Sequence, residues 1–384
     1  MNKRKILFLT GTRADYGKIK PLMMAVEEHQ DFECHIFVTG MHTLKEFGDT
    51  KSEIFKDEFK NIHVYMNQII EEPMDLILAN TINGFSRYIR ELEPDMIIVH
   101  GDRVEALAGA ISGAMNNILV AHIEGGEVSG TIDESIRHSI SKLAHIHFVS
   151  NNEAKNRLLQ LGEKQSSIYV IGSPDIDIIL EKPKLNIDEI KRRYEIEFDE
   201  YAVLMYHPVT TEIEYLKGNI RQIVDAIFIS EDNFVVVHPN NDSGHGIILE
   251  EYKRFDDYDK VKKFPSIRFE FFIEILKNAK YLIGNSSAGI HEAPVIGLPS
   301  VSIGTRQKDR FSYETIISSR DYTDEILSAI HKAKMIKDIK KTNHFGDGNS
   351  RENFIKIVLE DEIWQTPRQK IFRNIKFEGS GLNV

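Results

Sequence analysis

Residues 96–138 pack carboxylates, two arginines and three histidines into two apolar runs and the start of a helix. MIIVH (96–100) stops at Gly101-Asp102-Arg103, and ILVAHI (118–123) stops at Glu124-Gly125-Gly126-Glu127. VEALAGAISGAMNN between them reads as a crossover helix, so the two runs are parallel strands ending on the same sheet edge. Ligands of open α/β sheets bind outside the carboxyl ends of the strands, which aims Asp102 and Glu124 into a cleft. Neighbouring strands lie about 5 Å apart. Carboxylates that close are costly unless they share a proton, a cation or a reaction. A third acid follows. Thr131 and Glu134 match a capping box, in which Glu134 reaches back to its own helix start. Asp133 is then the freer acid, with Arg137 one turn on as its partner. Gly125, Gly126 and Gly130 let the connecting backbone approach a ligand.

Three further stretches suit an anion. Gly11-Thr-Arg-Ala-Asp-Tyr-Gly17 joins an apolar run to a helix, and free N–H groups at a helix start favour negative charge. Arg13 would add a charge-assisted bond to phosphate. The loop is neither GxGxxG nor a Walker A motif, so it specifies neither NAD nor ATP. In Leu282-Ile-Gly-Asn-Ser-Ser-Ala-Gly-Ile-His-Glu292, Ser286 and Ser287 sit at a strand-to-helix junction suited to a phosphate or diphosphate. Glu292 lies under two turns further on, placed to accept from ribose hydroxyls. His207 and His238 each end a strand before proline; such a histidine binds phosphate as the cation or moves a proton. Asn240 follows the second. The structural alternatives are a solvated arginine in a tight turn, a serine N-cap and a satisfied buried histidine. His100, His122, His145 and His147 are not read as metal ligands: there is no HExxH and no cysteine pair, and alternate strand residues face opposite sides.

The elements that position these residues alternate between strand and helix through residues 1–175, as in a doubly wound parallel sheet. The strands are 5–10, 32–40, 62–67, 96–100, 118–123, 145–151 and 167–175. Residues 180–201 are charged and weakly periodic and read as a linker. Alternation resumes with strands at 202–210, 233–242, near 282 and at 300–306. The expected organisation is residues 1–178 as a first domain carrying the carboxylates and 179–363 as a second binding the nucleotide. Residues 364–384 form a helix that returns to the first domain, with Pro367 as a break. Two such domains leave a cleft between their strand ends.

Composition bounds the function classes. The 384 residues are 41% hydrophobic and 28% charged, with a net charge of -11 and one cysteine, Cys34. That balance argues against a non-specific nucleic-acid binder, which carries a basic face. One cysteine permits no intrachain disulfide and fits a reduced, cytoplasmic setting. The apolar run ILFLT after the basic start is too short for a secretion signal. No stretch approaches the roughly 18 apolar residues of a membrane span.

GTRADYGKIKP, VTGMH, HGDR, HIEGGEVSGTIDESIRHSISKLAHIH, IGSPD, HPVTTE, FPSIRFE and GNSSAGIHEAP occur in this order. Together they resemble the hydrolysing UDP-N-acetylglucosamine 2-epimerases of bacterial sialic acid synthesis, over nearly the whole chain up to about Arg310. The compact segment after the HxE strand favours that branch over the non-hydrolysing epimerases. The resemblance implies a GT-B-like fold of two Rossmann-like domains. It implies hydrolysis of UDP-GlcNAc to UDP and N-acetylmannosamine through a 2-acetamidoglucal, with inversion at C2, and neither a metal nor a redox cofactor. By matching positions, Asp102, Glu124 and Asp133 take the places of catalytic carboxylates. Arg13, Arg103, His207, Asn240, Ser286, Ser287, Glu292 and Arg306 take the places of UDP contacts. Gly17 departs from the pattern: some relatives have a serine there that touches the diphosphate, and its backbone N–H is expected to serve instead. The expected partners are a UDP-sugar and further copies of the chain, as a homodimer or homotetramer. Three alternatives stay open: a UDP-2,4-diacetamido-2,4,6-trideoxyhexose as substrate, a GT-B glycosyltransferase, and a nucleotide-sugar sensor without turnover.

Overall fold

The computed structural model of the chain describes residues 3–374 apart from positions 49, 184 and 338. The N-terminal sheet comprises β1 (Arg4–Thr10), β2 (Phe32–Val38), β3 (Asn61–Val64), β4 (Met96–His100), β5 (Leu119–Ile123), β6 (Ile146–Val149) and β7 (Ile168–Val170). Their spatial order is β3-β2-β1-β4-β5-β6-β7. The C-terminal sheet comprises β8 (Ala202–Met205), β9 (Phe234–Val237), β10 (Val261–Phe264), β11 (Leu282–Gly284), β12 (Ser300–Ile303) and β13 (Ile316–Ser319), in the order β10-β9-β8-β11-β12-β13. Pairing is parallel throughout both sheets, as in β1 beside β4 and β8 beside β11. In each sheet the winding reverses between those two strands. The loops diverging there open a crevice at the strand ends, the place such sheets bind ligands. The architecture is two Rossmann-like domains in the GT-B-like arrangement.

Helices cover both faces of each sheet, so central strands are apolar on both sides. Ile6, Phe8, Ile98 and Ala121 face one core of the N-terminal domain; Leu7, Leu9, Ile97 and Val99 face the other. Leu204 and Ile283 face one core of the C-terminal domain, and Val203 and Leu282 the other. Strands β10 and β13 lie outside the segments the alternation predicts. Both are edge strands. VKKF carries two lysines that keep the edge open to water and hide its strand signal. IISS is short and half exposed.

Residues 180–201 are no free linker. Asn186 and Glu189 form a capping box that starts a helix at Ile187–Arg193. Ile190, Ile196 and Tyr201 are buried in the second domain's core. Only one apolar position per turn is used, so the charged faces mask the periodicity.

The chain crosses between domains twice, side by side. The Ser173 N–H donates to the Phe345 carbonyl at 2.7 Å. The Asp177 carboxylate accepts from the N–H groups of Ser350 and Arg351 at 3.0 and 2.9 Å, capping the returning helix Ser350–Leu359. That return begins well before residue 364. Phe354 packs edge-on to Phe148 with ring centroids 5.1 Å apart, and Trp364, after the short helix Asp361–Trp364, packs on Phe32. Residues 365–374 carry no helix, because the residue before Pro367 is driven out of the α region. Residues 375–384 lie outside the described residues. No helix among the described residues is long and apolar enough to cross a membrane.

Candidate active site

The strand ends of the two sheets face one another across a cavity of about 270 Å3. Asp102, Glu124, Asp133, Arg13, Arg103, His207, Asn240, Ser286, Ser287, Glu292 and Arg306 all line it. Fold topology explains the convergence, since each residue ends or follows a strand, or begins the helix after one.

The three carboxylates differ in environment. Strand β5 pairs with β4, with His100 opposite Ile123, so Glu124 and the Gly101-Asp102 turn are adjacent. Glu124 has φ of 64°. That left-handed conformation costs energy for a side-chain-bearing residue and is typical of positions held for function. Its carboxylate lies 3.3 Å from His100 and 3.6 Å from Lys18. Burial pushes the Glu124 carboxyl up, but Lys18 and His100 outweigh it and hold the group well below the ordinary glutamate range. In return His100, which burial alone would keep neutral, is raised by Glu124. Asp102 is paired with the buried Arg137 guanidinium. Burial raises the Asp102 carboxyl, and Arg137 with Arg310 more than reverses this. Asp133 moves the other way, raised by burial and by the neighbouring Asp102 charge, with Arg306 at 3.5 Å giving partial relief. Two neighbouring acids are thus driven apart, one towards the ionised form and one towards the protonated form.

Local contacts correct several expectations. Thr131 caps its helix through the Asp133 N–H at 3.3 Å, while Glu134 reaches past it to the Ser129 N–H. Arg137 does not pair with Asp133. It lies on the buried face of its helix and turns inward to Asp102, to the Glu124 carbonyl at 2.9 Å and to Glu127 at 3.7 Å. The helix start after Gly11 is already occupied: the Asp15 carboxylate accepts from the N–H groups of Gly11 and Thr12 at 2.9 and 3.1 Å. Arg13 is clamped by Glu53 at 2.6 and 3.0 Å and donates to Ser266, so an anion there must compete for it. Gly17 faces Phe269 of the other domain, where a Cβ would come within 2.4 Å of the Phe269 Cβ. Its role is close packing of two helices across the domain boundary. The surroundings of His207 favour the neutral ring over the cation. Burial first, then the charges of Arg306 and Arg103, hold it well below the ordinary histidine range. The Asn240 N–H donates to its Nδ1 at 3.1 Å, which places the ring proton on Nε2. The neutral ring is therefore a donor. His238 is likewise pushed down, to about 4, by burial and by Lys263.

The remaining loops are stitched by Asn285. Its side chain exchanges hydrogen bonds with the His207 backbone at 2.7 and 2.8 Å, and its carbonyl accepts from Arg306 at 3.1 Å. Arg103 stands at the start of the following helix and donates to the Asn241 side-chain oxygen at 3.0 Å, across the cleft. Ile267, Phe269 and Phe272 give the cavity its apolar lining.

Sequence reasoning missed Lys18, which lies 3.3 Å from both Asp175 and Glu292 as well as near Glu124. Its signal is positional: Lys18 stands one helical turn before Leu22, on the face that the helix Arg13–Glu28 buries. His291 and Arg310 were missed as well. Both line the cavity and both bond Glu127, and only the fold brings them there.

Residues 24–359 match the family model described as UDP-N-acetylglucosamine 2-epimerase. The chain is 45% identical to a UDP-N-acetylglucosamine 2-epimerase of Neisseria meningitidis serogroup B, over 96% of this chain and 98% of that one. It is 34% identical to the UDP-N,N'-diacetylbacillosamine 2-epimerase (hydrolyzing) of Legionella pneumophila, over 92% of this chain and 95% of that one. The fold matches the crystal structure of Methanocaldococcus jannaschii UDP-GlcNAc 2-epimerase in complex with UDP-GlcNAc and UDP. That match has a TM-score of 0.79 at 21% identity, covering 92% of this chain and 99% of that one.

Proposed function

Because the chain belongs to the UDP-N-acetylglucosamine 2-epimerase family, we propose that it is the hydrolysing kind, converting UDP-GlcNAc and water to UDP and N-acetylmannosamine for sialic acid synthesis. The observation that carries this reading is the convergence of three carboxylates in one cavity, Asp102 paired with Arg137, Asp133 at 3.5 Å from Arg306, and Glu124 at 3.3 Å from His100. Inversion at C2 through an elimination needs a base on one face of the sugar and a proton donor on the other.

The uracil base suits the apolar wall of Ile267, Phe269 and Phe272. The diphosphate suits Ser286, Ser287, Arg306 and the Nε2–H of neutral His207. Glu292 is the acceptor for ribose hydroxyls. In the first step the C1–O bond breaks and UDP leaves with the electron pair. Arg306 and Arg103 stabilise the negative charge that develops. Asp102, held ionised, takes the C2 proton and leaves a 2-acetamidoglucal. In the second step water bonds to C1, giving a proton to Glu124, while Asp133 delivers a proton to C2 from the opposite face.

Incubation with UDP-GlcNAc alone in deuterated water tests this. The expected products are UDP and N-acetylmannosamine carrying deuterium at C2, with turnover lost in Asp102→Asn and Asp133→Asn. Negligible UDP release, or a product without deuterium, overturns the reading. The 34% identical hydrolysing relative named for diacetylbacillosamine supplies a second substrate. Comparing kcat/KM for the two UDP-sugars decides between them.

A further inference from the structure

Glu127 is buried, lines no part of the cleft wall named above, and has no role in the mechanism, yet it joins both domains. One of its carboxylate oxygens lies 2.9 Å from His291 Nε2 and 3.2 Å from Arg310, both on the C-terminal domain. The same oxygen lies 3.7 Å from Arg137, and the other accepts from the Ser150 hydroxyl at 3.2 Å, both on the N-terminal domain. Each end of this cluster is anchored. The His291 ring stacks on Phe345 with centroids 4.0 Å apart, and the Phe345 carbonyl accepts from Ser173 where the chain crosses between domains. At the other end Arg137 grips the Asp102 carboxylate.

We propose that Glu127 is a positioning residue that holds Arg137 on Asp102, linking the inter-domain crossing to the geometry of the acid at C2. The proposal rests on the proposed function for the role of Asp102. Its physical basis is a count of nearby charges. Two buried guanidiniums, Arg137 and Arg310, face three anions, Glu127, Asp102 and Glu124, of which Glu127 and Asp102 act on both most strongly. Burial pushes the Glu127 carboxyl up, but His291 and Arg137 outweigh that and hold it at about 2, so it is ionised. Removing its charge leaves Asp102 as the nearest anion for both guanidiniums. Arg310 then draws on Asp102, and Arg137, still held by the Glu124 carbonyl at 2.9 Å, loses the carboxylate 3.7 Å away that balances the pull of Asp102. Displacing a reacting group by about 1 Å costs roughly 100-fold in rate.

The test uses Glu127→Gln, which keeps the shape and removes the charge. His291→Asn removes the nearer of the two partners on the C-terminal domain, leaves Arg310, and serves if the first variant does not fold. The expected result is a fall in kcat by roughly tenfold to 100-fold with KM and UDP affinity nearly unchanged. A crystal structure of the variant, which needs no substrate, is expected to show Arg137 moved off the Asp102 carboxylate. Unchanged kcat in folded variants, a loss confined to KM, or Arg137 still seated on Asp102 overturns the proposal. If the wild type does not turn over UDP-GlcNAc, the proposed function fails, and the position of Arg137 still decides whether Glu127 holds it.

Discussion

Lys18→Met removes one charge and little volume from the centre of the molecule. The ammonium lies 3.3 Å from Asp175, 3.3 Å from Glu292 and 3.6 Å from Glu124, and the side chain is only 11% exposed. Asp175 is wholly buried, and neither of its carboxylate oxygens has a hydrogen-bond partner among the described residues. The three acids come from the end of β5, the inter-domain helix Pro174–Leu180 and the helix Glu292–Ile296, so Lys18 neutralises acids from both domains. Removing one partner of a buried ion pair costs about 3–5 kcal/mol, because the other is left as an uncompensated charge. Here three acids lose a common cation, so the upper half of that range is expected near neutral pH.

The sign of the pH dependence follows from Glu124. Its folded-state pKa is depressed, so it contributes stability above its ordinary value of 4.5, and that stability is lost as pH falls through the folded pKa. In Lys18→Met the largest of the lowering influences on Glu124 is gone, and His100 alone of the two is left to oppose burial. The variant's acids then take up protons at a higher pH and shed their repulsion. The difference in stability between wild type and variant is therefore largest near neutral pH and narrows as pH falls towards and through 4.5. Chemical denaturation of both proteins across that range measures it. A variant as stable as wild type near neutrality, or a gap that widens on acidification, refutes the reasoning.

Gly17→Ala places a methyl group 2.4 Å from the Phe269 Cβ. It should destabilise the protein by about 1–3 kcal/mol through overpacking, and a fall in kcat accompanies it as the domains are pushed apart. Thermal denaturation and steady-state kinetics check both. Phe354→Ala, at a fully buried contact on Phe148, should cost about 3–5 kcal/mol. The single tryptophan, Trp364, reports whether the returning helix has undocked through a red-shifted emission. His207→Gln keeps a hydrogen-bond donor where the neutral ring had one, whereas His207→Ala does not. Calorimetry should find UDP bound nearly as tightly by the first and roughly tenfold more weakly by the second. A rise in wild-type UDP affinity on acidification that the glutamine variant lacks contradicts the neutral-ring assignment.

How much of the site was legible depended on the kind of residue. Acids and serines at strand ends could be read because a strand-to-helix junction in a parallel sheet has one destination. Asp102, Glu124, Ser286 and Ser287 reach the cleft for that reason. Their partners were harder. Arg137 was assigned to Asp133 by helix spacing, but its buried face turned it to Asp102. Lys18 looked like an ordinary helix lysine until acids from three other elements were packed around it. Glu127 was visible as one more acid in a rich loop, and its meaning lay in His291 and Arg310, more than 160 positions away.

Strand period and glycine stops determined the two-domain parallel architecture from sequence alone, because those signals act between near neighbours, and the short motifs in their order carried the resemblance to the family. Edge strands β10 and β13 escaped because charged or short edges carry no apolar run. The charged segment 180–201 was misread because one buried position per turn suffices to dock a short helix. The ionisation of Asp102, Asp133 and His207, the occupation of Arg13 and the helix start at Gly11, and the closure of the domains at Gly17 were decided by the tertiary structure. Each depends on distance and burial through space, where charge interactions grow as water is excluded, and sequence separation carries no record of either.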